Sequence, residues 1–387
     1  MKEYNWRDER EKFRPDFQQK KEAPAVQPPP EEPRTDPRKI IAVIAGVIVI
    51  ALIAVGVYFF INNNKSEGKG TGGSKSGKEP PVEATSPVKD SATMLAEAAA
   101  KQKSAVGVVV VTLELKDGRK LTNEIGTAWA FAEDKFATNA HVAVAIKEAA
   151  QQLKIQLASA LLKNYAKEEG CNDLDALKKK VGEAKFEQLC KEAIQLVQQN
   201  TKSVSAAIFI NGAHGKCYTI THYQIHQRYG VKGTAVDPDV AVLTIQGKHD
   251  TFFKIAKQDT LHSLKAGDPI AFLGFPMENL VHNNVNLDNP VASMQTGNIV
   301  AVSDFELKDS GKDANLLIRH NLPSTGGASG SPIFNKNGEV VALLYAGNII
   351  RQQGGIRAPS PAMINMSVRV DLLEGMGPIQ PISDMFE

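Results

Sequence analysis

The stretch Ser324–Phe334 reads STGGASGSPIF, and its composition is unusual for a chain that is otherwise rich in ordinary helix- and strand-forming residues. Its first eight residues contain three glycines and three serines, and an apolar run follows directly. Glycine costs folding entropy, so this density favours a backbone path that side chains would block. The stretch therefore predicts a tight, exposed turn that carries a serine and leads into a strand.

Most of the chain after Ala105 consists of short apolar runs separated by turn residues. Runs such as VGVVVVTLEL, IGTAWAF and DVAVLTI alternate with turns that include Asp-Gly and Asn-Gly pairs. This arrangement is typical of β-hairpins. The chain is therefore predicted to be mostly β, with two runs of roughly six strands each.

One segment interrupts the first run of strands. From Ala145 to Gln199 the apolar residues recur at helical spacing in two stretches, the first from Ile146 to Tyr165 and the second from Leu174 to Val197. This periodicity predicts a helical hairpin, inserted at about residues 145–200. The insert is a lid, a docking arm for assembly or an inert insertion, and the sequence leaves these alternatives open.

Composition limits the class of function. The 387 residues carry a formal net charge of +2, which gives no basic field for nucleic acid, so no nucleic-acid partner is expected. The three cysteines, Cys171, Cys190 and Cys217, are too few for a disulfide scaffold, although one bridge remains open. Their spacing matches no zinc or redox motif, and neither a metal nor another cofactor is expected.

The N-terminal part is divided into three segments. Residues 1–39 are polar and proline-rich, which predicts a disordered tail. Ile40–Ile61 is 22 residues without a charge, long enough as a helix to span a membrane, and residues 62–94 form a Gly/Ser/Lys/Pro linker. Arg38 and Lys39 border the apolar run in front and NNN follows it, which favours a cytoplasmic N-terminus with the bulk of the chain outside.

Three short motifs supply the residue types of a nucleophilic centre. TNAHV carries His141, DVAVL carries Asp239 and GGASGSP carries Ser329, in that order along the chain. A serine nucleophile needs a base within hydrogen-bond reach, and the base needs a carboxylate that fixes its tautomer. The backbone N–H groups of Gly327 and Ser329 are the predicted oxyanion donors. Asp237 competes with Asp239, and Ser324 and Ser331 compete with Ser329.

These motifs resemble those of chymotrypsin-fold (trypsin-like) serine peptidases, nearest the bacterial Deg/HtrA-type and trypsin-like peptidase domains. GTAWAF with FATNAHV, DPDVAVLTI and GGASGSPIFNKNGEVVAL resemble the blocks around the histidine, aspartate and serine of the family's triad. The likeness covers about residues 95–375, and no PDZ domain is expected after it. It implies two six-stranded antiparallel β-barrels, with residues 376–387 as a C-terminal tail.

The resemblance also implies a substrate pocket. Its walls would be formed by Pro323, Ser324, Thr325, Tyr345, Ala346 and Gly347. Pro323 stands where an aspartate would favour Arg or Lys substrates, and the strand Val340 to Leu344 lacks the histidine that glutamyl endopeptidases use. The resemblance therefore implies a small or medium apolar P1 residue. Ser331 replaces a common glycine and Ala328 replaces the aspartate of digestive enzymes, and the resemblance implies activity without N-terminal trimming.

The expected function is that of a membrane-anchored serine endopeptidase that hydrolyses protein or peptide substrates through an acyl-enzyme. The alternative is a peptidase fold that serves as a binding or sensor module with weak or latent catalysis. The intact set of three catalytic residue types favours the first. Assembly into a homo-oligomer stays open.

Overall fold

The computed structural model contains sixteen β-strands and five α-helices within the part of the chain that it describes. That part comprises residues 90–231, 237–276, 285–323, 325–346, 349–351, 357–359 and 364–386. The apolar segment Ile40–Ile61 lies outside it. Among the described helices, none combines the length and the apolar character needed to cross a membrane.

The first six strands form a closed antiparallel barrel. They are β1 Val106–Leu115, β2 Lys120–Ala132, β3 Lys135–Thr138, β4 Thr201–Ile210, β5 Cys217–Ile225 and β6 Ala241–Ile245. Their order is β5-β4-β1-β2-β3-β6, and pairing of β5 with β6 closes the sheet. The valines from Val108 to Val111 on β1 are fully buried, because this strand lies at the centre of the sheet and both its faces are covered.

The remaining strands form a second barrel and its attachments. They are β7 Lys254–Ile255, β8 Pro269–Gly274, β9 Ser293–Ser303, β10 Leu317–His320, β11 Pro332–Asn335, β12 Glu339–Ala346, β13 Ile349–Arg351, β14 Arg357–Pro359, β15 Asn365–Arg369 and β16 Gln380–Pro381. The order β11-β8-β9-β10-β15-β12 closes through pairing of β11 with β12. The prediction of two six-stranded antiparallel barrels is therefore confirmed.

The helices differ from the predicted hairpin. They are α1 Ser91–Gln102, α2 Ala140–Glu168, α3 Leu174–Val181, α4 Glu183–Asn200 and α5 Gln258–His262. The insert thus contains three helices, and α2 begins five residues before the predicted start at Ala145, so that His141 lies in its first turn. The short α3 is separated from α2 because Asp173 caps it, its carboxylate accepting the Ala176 N–H at 2.7 Å.

The two halves of the insert pack differently. Near its start, α2 places Ile146, Ala149 and Leu153 in the main hydrophobic core, against the first barrel. Farther along, α2 and α4 share a separate small core made by Ala158, Leu162, Leu189, Ala193 and Val197. The base of the insert is therefore part of the barrel, and only its distal half has the character of an independent arm.

The C-terminal segment is also better packed than a tail. Residues 376–387 were predicted to lie outside the domain, but β16 pairs with β5 of the first barrel. Ile382 and Met385, which follow β16, are buried. Burial of these two apolar side chains stabilises a strand that is too short to form without its partner.

A buried histidine in the second barrel should make folding stability depend on pH. His320 is fully buried, its Nε2 atom lies 2.7 Å from the Ser367 hydroxyl, and burial lowers the pKa of its ring to about 3. Between about pH 6.5 and pH 3 the unfolded chain binds a proton there that the folded chain does not, so the free energy of unfolding falls as pH falls. His320→Gln should flatten this fall by up to about 1.4 kcal/mol per pH unit.

Urea unfolding of the wild type and His320→Gln between pH 4 and pH 7 measures the effect. His214→Gln is the matched control, because the His214 side chain is 76% exposed beside Asp288. His226 and His249 are also buried, and their pKa values are lowered mainly by desolvation and to a smaller extent by a nearby cation. Some pH dependence of the free energy of unfolding should therefore persist in His320→Gln. Equal slopes in the wild type and His320→Gln would contradict the assignment to His320.

Candidate active site

His141 is bound to Asp239 through two hydrogen bonds. The main-chain N–H of His141 donates to Asp239 Oδ1 at 2.9 Å, and His141 Nδ1 lies 2.5 Å from Asp239 Oδ2. The Asp239 side chain is 8% exposed, whereas that of His141 is 40% exposed. The carboxylate is thus buried behind the ring, and the opposite nitrogen, Nε2, is left for a partner on the solvent side.

The elements around this pair hold Asp239 in place. Asn139 directly precedes α2 and is buried, and its side-chain amide donates to the Asp239 carbonyl at 2.8 Å. Tyr345 of β12 packs nearby. The pKa of its phenol is raised to about 12, mainly by burial and to a smaller extent by the negative charge of Asp239. Asp237, the competing carboxylate, is also buried, but it is the Asp239 carboxylate that accepts both hydrogen bonds from His141.

Ser329 lies half-buried on the loop between β10 and β11, at the boundary of the two barrels. Its carbonyl accepts the Thr127 N–H of β2 at 2.9 Å, and the next N–H, that of Gly330, donates to Leu344 of β12 at 2.8 Å. Gly330 has φ of +86°, and a Cβ there would overlap the Thr127 carbonyl and the Thr138 hydroxyl. Only glycine allows this close approach to the segment that leads into α2.

The residues before Ser329 form a tight turn. The Ala328 N–H donates to the Thr325 carbonyl at 3.2 Å, and Gly327 between them has φ of +84°, as the third residue of a type II turn requires. Within the described part of the chain, the N–H groups of Gly327 and Ser329 donate to no protein oxygen. Two unused N–H groups beside a serine are the arrangement that an oxyanion needs.

The competing serines differ in environment. The Ser331 hydroxyl is buried and donates to the Ala328 carbonyl at 2.6 Å, which leaves it no access to a substrate. Ser324 lies outside the described residues. Among the described residues, no hydrogen bond joins the Ser329 hydroxyl to the His141 ring, whose bond goes to Asp239. Such contacts are often long without substrate.

The predicted pocket residues are placed in part. Pro323 is exposed, while Thr325 and Tyr345 are half-buried. Ala346 ends β12, and its side chain lies outside the description, as does the whole of Gly347. The described members therefore flank the Ser329 loop on both sides, before the turn and at the end of β12.

No cluster of three or more His, Cys, Asp or Glu side chains that could hold a metal is present in the part of the chain that the structure describes. Cys171 is buried, Cys190 is half-buried and Cys217 is exposed, and all three are free thiols. Burial raises the pKa of the Cys190 thiol. A raised pKa lowers the thiolate fraction at neutral pH and makes this cysteine a poor nucleophile.

Two contributors to the site were not anticipated from the sequence. Asn139 holds the backbone at Asp239, and Thr127 contacts the Ser329 loop with both its backbone and its hydroxyl. Both residues stand inside the quoted stretches GTAWAF and TNAHV. Asn139 stands two residues before the histidine and Thr127 stands in the preceding strand, but the partners of both side chains are far away in the chain.

Comparison with known proteins gives one family and several structural likenesses. The sequence profile of the trypsin-like peptidase domain matches residues 126–343. No curated protein matches the chain. Among solved structures, HtrA-type protease AlgW with decapeptide is similar at 14% identity and a TM-score of 0.40, over 72% of this chain and 65% of that chain. The same protease with tripeptide gives 15% identity, a TM-score of 0.38, and 72% and 61% coverage. The chain thus spans a little less than two thirds of these structures.

Proposed function

Because the chain belongs to the family of trypsin-like peptidase domains, we propose that it is a serine endopeptidase that hydrolyses peptide bonds of protein or peptide substrates. Ser329 is the nucleophile, His141 the general base and Asp239 the carboxylate that orients it. The contact that carries this proposal is the pair of hydrogen bonds from His141 to Asp239.

The chemistry follows from the positions of the protons. Asp239 accepts a hydrogen bond from the Nδ1–H of His141, so the neutral ring keeps a lone pair on Nε2. Nε2 takes the Ser329 proton as Oγ attacks the carbonyl carbon of the substrate. The resulting oxyanion is met by the N–H groups of Gly327 and Ser329. His141 then donates its proton to the leaving amine, and water hydrolyses the acyl-enzyme by the same route.

Active-site labelling tests the proposal directly. The purified full-length protein should react with a fluorophosphonate, and peptide mapping should place the adduct on Ser329. His141→Ala should suppress labelling, because the hydroxyl loses its base. A folded wild-type protein that neither labels nor cleaves casein would contradict the proposal and favour a binding or sensor module.

We further propose that Ile40–Ile61 anchors the protein in a bacterial cell membrane, with residues 1–39 in the cytoplasm and the peptidase domain outside. The support is the uncharged run of 22 residues, with Arg38 and Lys39 at its front end. A flexible linker after the span would allow the domain to reach protein substrates at some distance from the membrane.

Fractionation of cells should place the full-length protein in membranes, and high salt or carbonate should not extract it, because an apolar span is not held by charge. A variant that lacks residues 1–61 should be soluble. Protease added to spheroplasts should digest the peptidase domain and spare an epitope fused to residue 1. Protection of the peptidase domain instead would reverse the proposed orientation.

A further inference from the structure

Thr127 lies on the first barrel and makes hydrogen bonds both to the Ser329 loop and to the second barrel. It lies on β2, is fully buried, and makes four hydrogen bonds. Its N–H donates to the Ser329 carbonyl at 2.9 Å and its carbonyl accepts the Thr138 hydroxyl at 2.7 Å. Its own hydroxyl donates to the Gly327 carbonyl at 2.9 Å and accepts the Phe275 N–H, just after β8, at 3.1 Å.

The two residues that Thr127 holds are Gly327 and Ser329, whose N–H groups are the candidate oxyanion donors. Its backbone N–H fixes the carbonyl of Ser329, and its hydroxyl fixes the carbonyl of Gly327. Only Ala328 lies between these two hydrogen-bonded carbonyls. The two hydrogen bonds from Thr127 therefore restrain the distance between the Gly327 and Ser329 backbones. Gly326 and Gly327 have no side chains of their own that could restrain the turn.

We propose that the Thr127 hydroxyl is a positioning group for the oxyanion site: it holds the Gly327 carbonyl so that the Gly327 and Ser329 N–H groups are spaced for one developing negative oxygen. This inference rests on the proposed peptidase function and deepens it. The hydroxyl touches neither the substrate nor the reacting atoms. It acts through the backbone, because donors assist catalysis only where the oxyanion will lie.

The hydroxyl group itself, rather than the volume of the side chain, is required for this role. Valine has nearly the shape of threonine but neither donates to Gly327 nor accepts from Phe275. Serine keeps both hydrogen bonds and loses one methyl group. If Thr127 only filled space in the barrel, valine would be tolerated at least as well as serine, because Thr127 is fully buried and serine lacks its methyl group. If its hydrogen bonds only stabilised the fold, valine would lower thermal stability by leaving the Phe275 N–H and the Gly327 carbonyl unpaired, without a specific loss of kcat. The positioning role requires serine to be active and valine to be impaired.

The test compares the full-length wild type with Thr127→Val and Thr127→Ser. Loss of one oxyanion donor costs about 10²- to 10³-fold in kcat, and a displaced donor should cost part of this. We expect Thr127→Val to lower kcat for casein and the rate of fluorophosphonate labelling by roughly 10- to 100-fold, with KM changed less than about twofold. The pH midpoint of labelling should not move, because His141 keeps its bonds to Asp239. Thr127→Ser should restore most of the rate.

Two measurements separate this inference from a general loss of stability. Ser303→Ala is the matched control: Ser303 is also buried and donates its hydroxyl to a backbone carbonyl, that of Asp304, at 3.0 Å. It should leave labelling unchanged. Amide hydrogen exchange, followed by mass spectrometry, should show faster exchange of residues 325–331 in Thr127→Val but not in Thr127→Ser or Ser303→Ala.

The outcomes discriminate between the claims. A folded Thr127→Val that labels at the wild-type rate overturns the positioning role, as does a Thr127→Ser as slow as Thr127→Val, or unchanged exchange in the loop. If Thr127→Val does not fold, Thr127→Ala replaces it, and failure of both to fold assigns the hydroxyl to folding and overturns the inference. Absence of labelling in the wild type contradicts the peptidase function itself, and the exchange data then decide whether Thr127 holds the loop.

Discussion

Replacing Ser329 with alanine should abolish fluorophosphonate labelling and lower casein cleavage by roughly 10⁴- to 10⁶-fold, while the protein remains folded. In the proposed mechanism the Ser329 hydroxyl oxygen forms the covalent bond to the substrate, and alanine has no atom that could replace it. Its half-buried position and the Gly327 turn depend on backbone contacts that alanine retains. Thermal unfolding of the two proteins should therefore agree closely, and the rate of labelling measures the loss.

Ser331→Ala is the control for this experiment. Ser331 lies two residues away, but its buried hydroxyl donates to the Ala328 carbonyl and does not reach solvent. Labelling should persist in this variant, with at most a modest loss of rate from the weakened turn. Ser324→Ala should behave in the same way. If the Ser329→Ala protein were still labelled, or the Ser331→Ala protein were not, the assignment of Ser329 as the nucleophile would be wrong.

The strands were predictable because their signal is local. Alternation of apolar and polar residues and the turns between them identify β-hairpins without knowledge of partners. The predicted start of α2 lies five residues too late. TNAHV follows a strand directly, and the helix begins within it because its first turns pack on the barrel, which the local sequence does not show. The segment at β16 escaped prediction for the same reason, since a strand of two residues exists only beside β5.

The site residues also differ in whether local sequence predicts them. The sequence allowed His141, Asp239 and Ser329 to be predicted as candidates because each stands in a short block of recognisable composition. Thr127 was not anticipated, because the partners of its hydroxyl lie 148 and 200 positions away, at Phe275 and Gly327. Contacts at that separation in sequence form only when the two barrels fold and pack together. No periodicity in the sequence predicts them.

The second large effect is expected for Asp239→Asn, and the geometry gives its cause. One carboxylate oxygen of Asp239 accepts the main-chain N–H of His141 at 2.9 Å, and the other lies 2.5 Å from Nδ1. In asparagine only the oxygen can accept the main-chain N–H, so the amide nitrogen must face Nδ1 and donate to it. The ring is then forced into the tautomer with its proton on Nε2, where it cannot take the Ser329 proton.

We therefore expect Asp239→Asn to lower kcat at neutral pH by about 10⁴-fold, with KM and thermal stability changed little, because the shape and both hydrogen bonds survive. Steady-state cleavage of casein and the rate of fluorophosphonate labelling measure the loss. Asp237→Asn is the matched control: this carboxylate is equally buried and only two residues away, but His141 donates its hydrogen bonds to Asp239. The control should retain most of its activity. If Asp237→Asn were the inactive variant and Asp239→Asn the active one, the carboxylate that orients His141 during catalysis would be Asp237, and the tautomer mechanism would be wrong.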